Sequence, residues 1–243
     1  MNDCLFLAGA TGVVGRRLAP LLVTSGWRVV GTTRSEEKAP ILRVMGVEPV
    51  VIDVFDADAL RDAMAQVRPS IVVHQLTDLP AGLDPNKMAD ALPRNARIRD
   101  EGTRNLVSAA LHAGVRRLIA QSIAFVYADG PLPHREADPL ALDAAGDAGL
   151  TARGVASLER QVLEAPLDGI VLRYGLLYGP GTGFDAGAGP GPVHVDAAAR
   201  AAELAISRDV PRGIYNIAEE DGTISSDKAK RLLGWAADWR VDH

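Results

Sequence analysis

The chain has 243 residues, of which 47% are hydrophobic and 23% charged, and a net charge of −5. That length buries a sizeable core in one α/β unit. The acidic balance excludes nonspecific nucleic-acid binding, which needs a basic face, and no apolar run is long enough to cross a bilayer. The single cysteine, Cys4, excludes an internal disulfide framework and fits a reducing compartment.

The N-terminal stretch MNDCLFLAGATG has neither the basic start nor the long apolar run of a signal peptide. A soluble, cytoplasmic protein is therefore expected. Short β-rich runs alternate with helical periods, which predicts a parallel sheet covered on both faces. Strands are expected at 4–8, 28–32, 49–52, 71–74, 117–121, 169–173 and 213–217, and helices at 13–25, 57–67, 97–113, 152–163 and 196–206. Gly26 and Gly114 fall where helix ends are expected, and Asp196 is placed to cap the last helix. Two stretches break the pattern. Residues 124–150 are too long for a simple connection and form a candidate substrate-side loop. Residues 179–192, GPGTGFDAGAGPGP, read either as a flexible linker or as a flap over a ligand.

The first strand runs into Gly9-Ala10-Thr11-Gly12-Val13-Val14-Gly15, a Gly-x-x-Gly-x-x-Gly turn opening an amphipathic helix. Gly9 makes the tight turn, Gly12 lets the backbone approach a diphosphate, and Gly15 allows close helix–strand packing. Free N–H groups of the first helical turn and the helix dipole then face the phosphates. This turn predicts a dinucleotide, with Gly9, Thr11, Gly12, Val13, Val14 and Gly15 at its diphosphate. An acid at the end of the second strand would select NAD. The chain instead has Thr33-Arg34-Ser35, so Arg34 and Ser35, with help from Arg16, are expected to hold a 2′-phosphate. NADP(H) is favoured over NAD(H). Asp53 and Val54 after the third strand are expected beside the adenine. His74 and Gln75 end the fourth strand near the nicotinamide ribose, with a polar role free of ligand contact open for His74. Arg94, Arg97 and Arg99, with Asn95, either bind an anionic substrate or form a solvated helix face.

With these residues in place the chain resembles the extended or atypical short-chain dehydrogenases/reductases, including the NAD-dependent epimerase/dehydratases. The matching segments run in order: GATGVVGRRL (9–18), VVIDV (50–54), EGTRNLVSAA (101–110), RRLIAQSIAFVY (116–127), LRYGLLYGPG (172–181), VHVDAAARA (193–201), YNIAEEDG (215–222) and KAKRLLGW (228–235). The resemblance implies a doubly wound parallel Rossmann sheet of about seven strands in one domain over 1–243. It also implies substrate above the strand ends, Tyr174 near the nicotinamide, and a homodimer built from two long helices. Gaps at 179–192 and after 217 imply a reduced C-terminal substrate cap.

Enzymes of this family use Tyr-x-x-x-Lys at a helix start, followed four residues later by a frequent Glu. The tyrosine is the acid/base, and the lysine lowers its pKa. Alignment on Glu159 puts Thr151 and Val155 at those positions, and the family's serine falls on Ile123, beside Ser122. Ser122 and Tyr127 remain as candidate proton-handling groups, with a structural role open for Tyr127. The expected function is an atypical NADP(H)-dependent oxidoreductase on a small molecule, one such as a quinone that needs little acid catalysis. A redox sensor that binds NADP(H) without chemistry is the alternative from another class. A nucleotide-sugar epimerase is the third.

Overall fold

A computed structural model describes residues 3–241. Strand β1 (Cys4–Ala8) leads through the glycine turn into helix α1 (Val13–Thr24), followed by β2 (Arg28–Thr33), α2 (Ala39–Val44) and β3 (Glu48–Val51). Next come α3 (Ala57–Val67), β4 (Ile71–His74), α4 (Pro85–Arg97), α5 (Thr103–His112) and β5 (Arg117–Ile123). The remainder is α6 (Gly146–Glu164), β6 (Asp168–Tyr174), β7 (Leu176–Tyr178), β8 (Pro192–His194), α7 (Val195–Ser207), β9 (Gly213–Ile217) and α8 (Asp227–Leu233).

Seven strands form one parallel sheet in the order β3-β2-β1-β4-β5-β6-β9. Successive strand side chains alternate between its faces. Leu5, Leu7, Val29, Val73, Ile119 and Leu172 bury one face against α1 and the alanine-rich α7. Phe6, Ala8, Val30, Val72, Leu118 and Val171 bury the other against α3, α5 and α6. This is the doubly wound Rossmann fold. The chain order reverses between β1 and β4, which opens a crevice at the carboxyl ends of those strands.

Four local expectations are corrected. The helix expected from residue 97 starts at Pro85, where Asp84 accepts a hydrogen bond from Asn86 N at 3.0 Å and Pro85 occupies the first turn. It then passes through a π-helical turn, Ile98–Gly102, into α5. Helix α6 begins at Gly146, so the substrate-side connection is shorter than its sequence suggests. Strand β3 stops at Val51, which leaves Asp53 two residues beyond it. Asp196 does not cap α7; the ring of His194 does, with Nδ1 accepting from Asp196 N at 3.2 Å.

Above the sheet's carboxyl edge the cap is small. Strands β7 and β8 pair in parallel, and Ala124, Ala218 and Ile224 form a separate apolar cluster beside Tyr127. Among the described residues, no helix is long and apolar enough to cross a membrane.

Candidate functional site

The crevice holds a cavity of about 820 Å³, inside the range of natural cofactor and ligand sites. Its floor is the glycine turn. Gly9 lies at φ +86°, and a Cβ there would sit 2.6 Å from the carbonyl oxygen of Gln75. A Cβ on Gly15 would lie 2.2 Å from the carbonyl oxygen of Gly9. These contacts press the start of α1 against β1 and the end of β4. Gly12 caps α1 without a side-chain acceptor, so the first-turn N–H groups of Val13, Val14 and Gly15 keep no intrahelical partner and face an incoming anion. Thr11, Gly12, Val13 and Val14 line the cavity, and Arg16 Nε donates to Thr11 O at 2.8 Å.

At the end of β2, Thr33, Arg34, Ser35 and Lys38 line the wall, with Arg16 opposite. Ser35 N donates to Thr33 Oγ1 at 3.2 Å, which shapes the turn. Arg34 pairs with Asp78 at 3.3 Å, and Asp78 also pairs with Arg94 at 3.2 Å. Arg16, Arg34 and Lys38 line this part of the cavity, where Asp78 is the one carboxylate on the wall among the described residues. An exposed ion pair contributes only about 0–1 kcal/mol, so Arg34 can leave Asp78 for a phosphate at little cost. Lys38 escaped the sequence reading because it lies in a short 3₁₀ turn (Glu36–Lys38) without helical periodicity.

Val54 and Phe55 form the next stretch of wall, with Arg97 lying 3.9 Å over the Phe55 ring. Asp53 is turned outward, exposed, its Oδ1 accepting from Phe55 N at 3.0 Å. It shapes the turn and does not reach the cavity wall.

His74 is wholly buried and faces away from the cavity. Its Nε2 lies 3.0 Å from Thr103 Oγ1, and its Nδ1 accepts from Leu76 N at 3.3 Å. That pattern requires the neutral Nε2–H tautomer. Burial, reinforced by the nearby Arg99 charge, pulls its pKa down to about 4, so it pins β4 to α5 as a neutral ring. Gln75 does line the cavity. Its Nε2 donates to Tyr174 Oη at 3.3 Å, while its buried Oε1 has no partner among the described residues. Burial holds the Tyr174 phenol well above its ordinary range, which keeps it protonated.

The two candidate proton donors are engaged elsewhere. Ser122 Oγ donates to Glu159 Oε1 at 2.8 Å. Tyr127 Oη donates to Asn216 Oδ1 at 2.6 Å and accepts from Arg173 Nη1 at 2.8 Å, with its ring stacked on His134. Ser122 lines the cavity and Tyr127 does not. Helix α6 contains neither tyrosine nor lysine. Val155 is buried against Val126 and Ala152, and Thr151, also on α6, is half-buried and not on the cavity wall.

The opposite wall is apolar, formed by Leu83, Phe125 and Leu176, none of which the sequence singled out. Nothing in their local pattern separates them from core residues; the topology alone brings them over the β5 and β6 ends. The residues present fit a dinucleotide. A Cβ would fill the diphosphate cradle at Gly9 and Gly15, the phosphate-facing rim is cationic, and an unpaired amide oxygen waits at the far end.

The comparisons with known proteins agree with this geometry. A family model described as NAD(P)H-binding matches residues 9–202. A 3-diazoavenalumate denitrifying reductase from a Streptomyces species is 46% identical over 183 residues, covering 74% of this chain and 58% of the reductase. The chain thus matches somewhat over half the length of that relative. Among solved structures, the UDP-glucose 4-epimerase of Thermotoga maritima superposes with a TM-score of 0.77 at 17% identity, covering 97% of this chain and 94% of the epimerase. WbmG of Bordetella bronchiseptica, solved with NAD, gives 0.74 at 19% identity, covering 100% and 91%. These two likenesses show the fold. Together with the glycine cradle, the family match shows that the chain belongs to the NAD(P)H-binding family, among the atypical short-chain dehydrogenases/reductases.

Proposed function

We propose that the protein is an NADP(H)-dependent reductase whose acceptor takes a hydride without needing a proton from the protein, with diazo compounds as the best supported class. The observation that carries this reading is the 46%-identical relative, a 3-diazoavenalumate denitrifying reductase; an α6 with neither tyrosine nor lysine fits it. The nicotinamide would supply the hydride. An arenediazonium ion and one hydride balance to the arene and dinitrogen, with no proton consumed. Acid catalysis is then dispensable, and the protein contributes positioning and exclusion of water.

The remaining roles belong to this chain's own side chains. The first-turn N–H groups of α1 hold the diphosphate. Arg34, Ser35, Lys38 and Arg16 hold the 2′-phosphate, which supports NADP(H) over NAD(H). Gln75 and Tyr174 orient the carboxamide end, and Leu83, Phe125 and Leu176 cover an apolar acceptor. Replacing Arg34 with alanine is expected to weaken NADPH binding about tenfold, the worth of one charge-assisted contact, with NADH affinity nearly unchanged. Fluorescence titration of both cofactors checks it, and equal loss for both would refute a 2′-phosphate role.

The activity test uses NADPH carrying deuterium at C4 with an arenediazonium carboxylate. The expected result is one dinitrogen released per NADPH oxidised and deuterium at the vacated carbon. No oxidation above the protein-free rate would reject the reading. The missing Tyr–Lys pair also suits an NADP(H) sensor, which predicts different affinities for NADP+ and NADPH and no acceptor turnover.

A further inference from the structure

The three arginines of the α4 segment have different fates. Arg94 pairs with Asp78 and donates to Asp90 O. Arg97 pairs with Glu101 at 2.7 Å on the exposed surface. Arg99 lies in the π-helical turn, is only 8% exposed, and lines the same cavity as the glycine turn. Its guanidinium makes no hydrogen bond or ion pair with any described residue. Its stem packs on α6 at Gly154, where an added Cβ would lie 3.5 Å from Arg99 Cδ.

The charge is uncompensated. The carboxylate whose field it feels is Glu159, but both Glu159 oxygens are already taken, Oε1 by Ser122 and Arg173 Nε, Oε2 by Arg173 Nη2. His74, the other titratable neighbour, is neutral. Burial pulls the Arg99 pKa down to about 10, so the guanidinium stays charged at neutral pH. Its guanidinium nitrogens are not sealed off by protein but are presented to the cavity, where an entering anion would meet them. The cofactor's anionic groups do not fill that role: the diphosphate belongs at the α1 turn and a 2′-phosphate at Arg34, Ser35 and Lys38, whereas Arg99 sits against α6.

We propose that Arg99 is the counter-ion for an anionic group of the substrate, a carboxylate carried on the apolar body that Leu83, Phe125 and Leu176 would cover. This assignment rests on the reductase reading for the word substrate, but its test needs no turnover. The "-ate" of the relative's substrate name is consistent with it. A bidentate guanidinium–carboxylate pair would place the acceptor in one orientation relative to the strand ends.

The test titrates benzoate and benzamide calorimetrically into protein saturated with NADP+, an unreactive complex. The wild type is expected to bind benzoate about tenfold or more tighter than the isosteric amide, as one charged hydrogen-bonded pair provides. Arg99→Met should erase that preference and Arg99→Lys should keep part of it, both binding NADP+ within about twofold of the wild type. Equal affinity of the wild type for the acid and the amide overturns the proposal, whatever the variants do. So does an Arg99→Met protein that loses NADP+ affinity but still prefers benzoate. If benzoate binding depends on Arg99 while NADPH oxidation by diazonium ions fails, the anion site stands and the diazo chemistry falls.

Discussion

Gly15→Ala is expected to lose NADP(H) binding by about a hundredfold, roughly 3 kcal/mol, the upper range for forcing a methyl group into a close-packed contact. The clash is with backbone: Gly9 O at 2.2 Å and Ala10 Cα at 2.9 Å from the new Cβ. No rotamer relieves it. The start of α1 must move off β1, and with it the N–H groups of Val13 and Val14 that face the diphosphate. Gly9→Ala should behave alike, because its methyl would meet Gln75 O at 2.6 Å in a left-handed backbone conformation. Gly26→Ala is the control: its φ is +85°, but nothing lies within 4 Å of the added Cβ. It should cost about 1–2 kcal/mol of stability for the backbone alone and leave affinity intact. Urea unfolding and cofactor titration on all three separate the two effects. Wild-type affinity in Gly15→Ala would mean that the turn is not the diphosphate site.

The glycine turn was legible because its chemistry is local: three glycines, an apolar strand before them and an amphipathic helix after. Strands β1, β4 and β9 were legible end to end for a similar reason, since buried parallel strands are short β-rich runs bounded by turn residues. Helix α4 was hidden. PNKMADALPRNAR is amphipathic but polar on average and contains Pro93, so its narrow apolar stripe is easily overlooked, and the Asp84 cap and packing against α6 support the helix. That error also hid what sets Arg99 apart from Arg94 and Arg97. Arg99 follows Asn95 by four residues, and Asn95 is 2% exposed, so the two share the inward face. Without the start of the helix, three nearby arginines look alike. Asp53 lies off the cavity wall because β3 ends at Val51, one residue before the expected end at 52, and its carboxylate accepts from Phe55 N within its own turn. Ser122 and Tyr127 could not be read from the sequence, because each hydroxyl is engaged by partners 37 to 89 residues away.

Those partners form the second large expected effect. Glu159 and Arg173 make a bidentate pair, Nε–Oε1 at 2.8 Å and Nη2–Oε2 at 2.6 Å, with the Arg173 and Glu159 side chains only 3% and 6% exposed. Arg173 Nη1 also donates to Tyr127 Oη at 2.8 Å and to Glu136 O at 3.3 Å, while Glu136 Oε1 accepts from Asn216 N at 2.9 Å. One ion pair therefore ties α6, β6, β9 and the 124–145 connection together at the substrate side of the sheet. Glu159→Ala strands the buried Arg173 charge without its carboxylate and should cost about 3–5 kcal/mol. The double variant Glu159→Leu/Arg173→Met removes both charges and should recover much of that loss, because the intact pair repays little beyond its own desolvation. It should not restore the 124–145 connection, since Tyr127 and Glu136 still lack the guanidinium that gathers them. Urea unfolding reads the first outcome. Proteolysis within 128–145, faster in the double variant than in the wild type at matched stability, reads the second. Equal protection there would show that the network holds only the core, and that the substrate-side connection is ordered by its own contacts with Ile224 and Thr223.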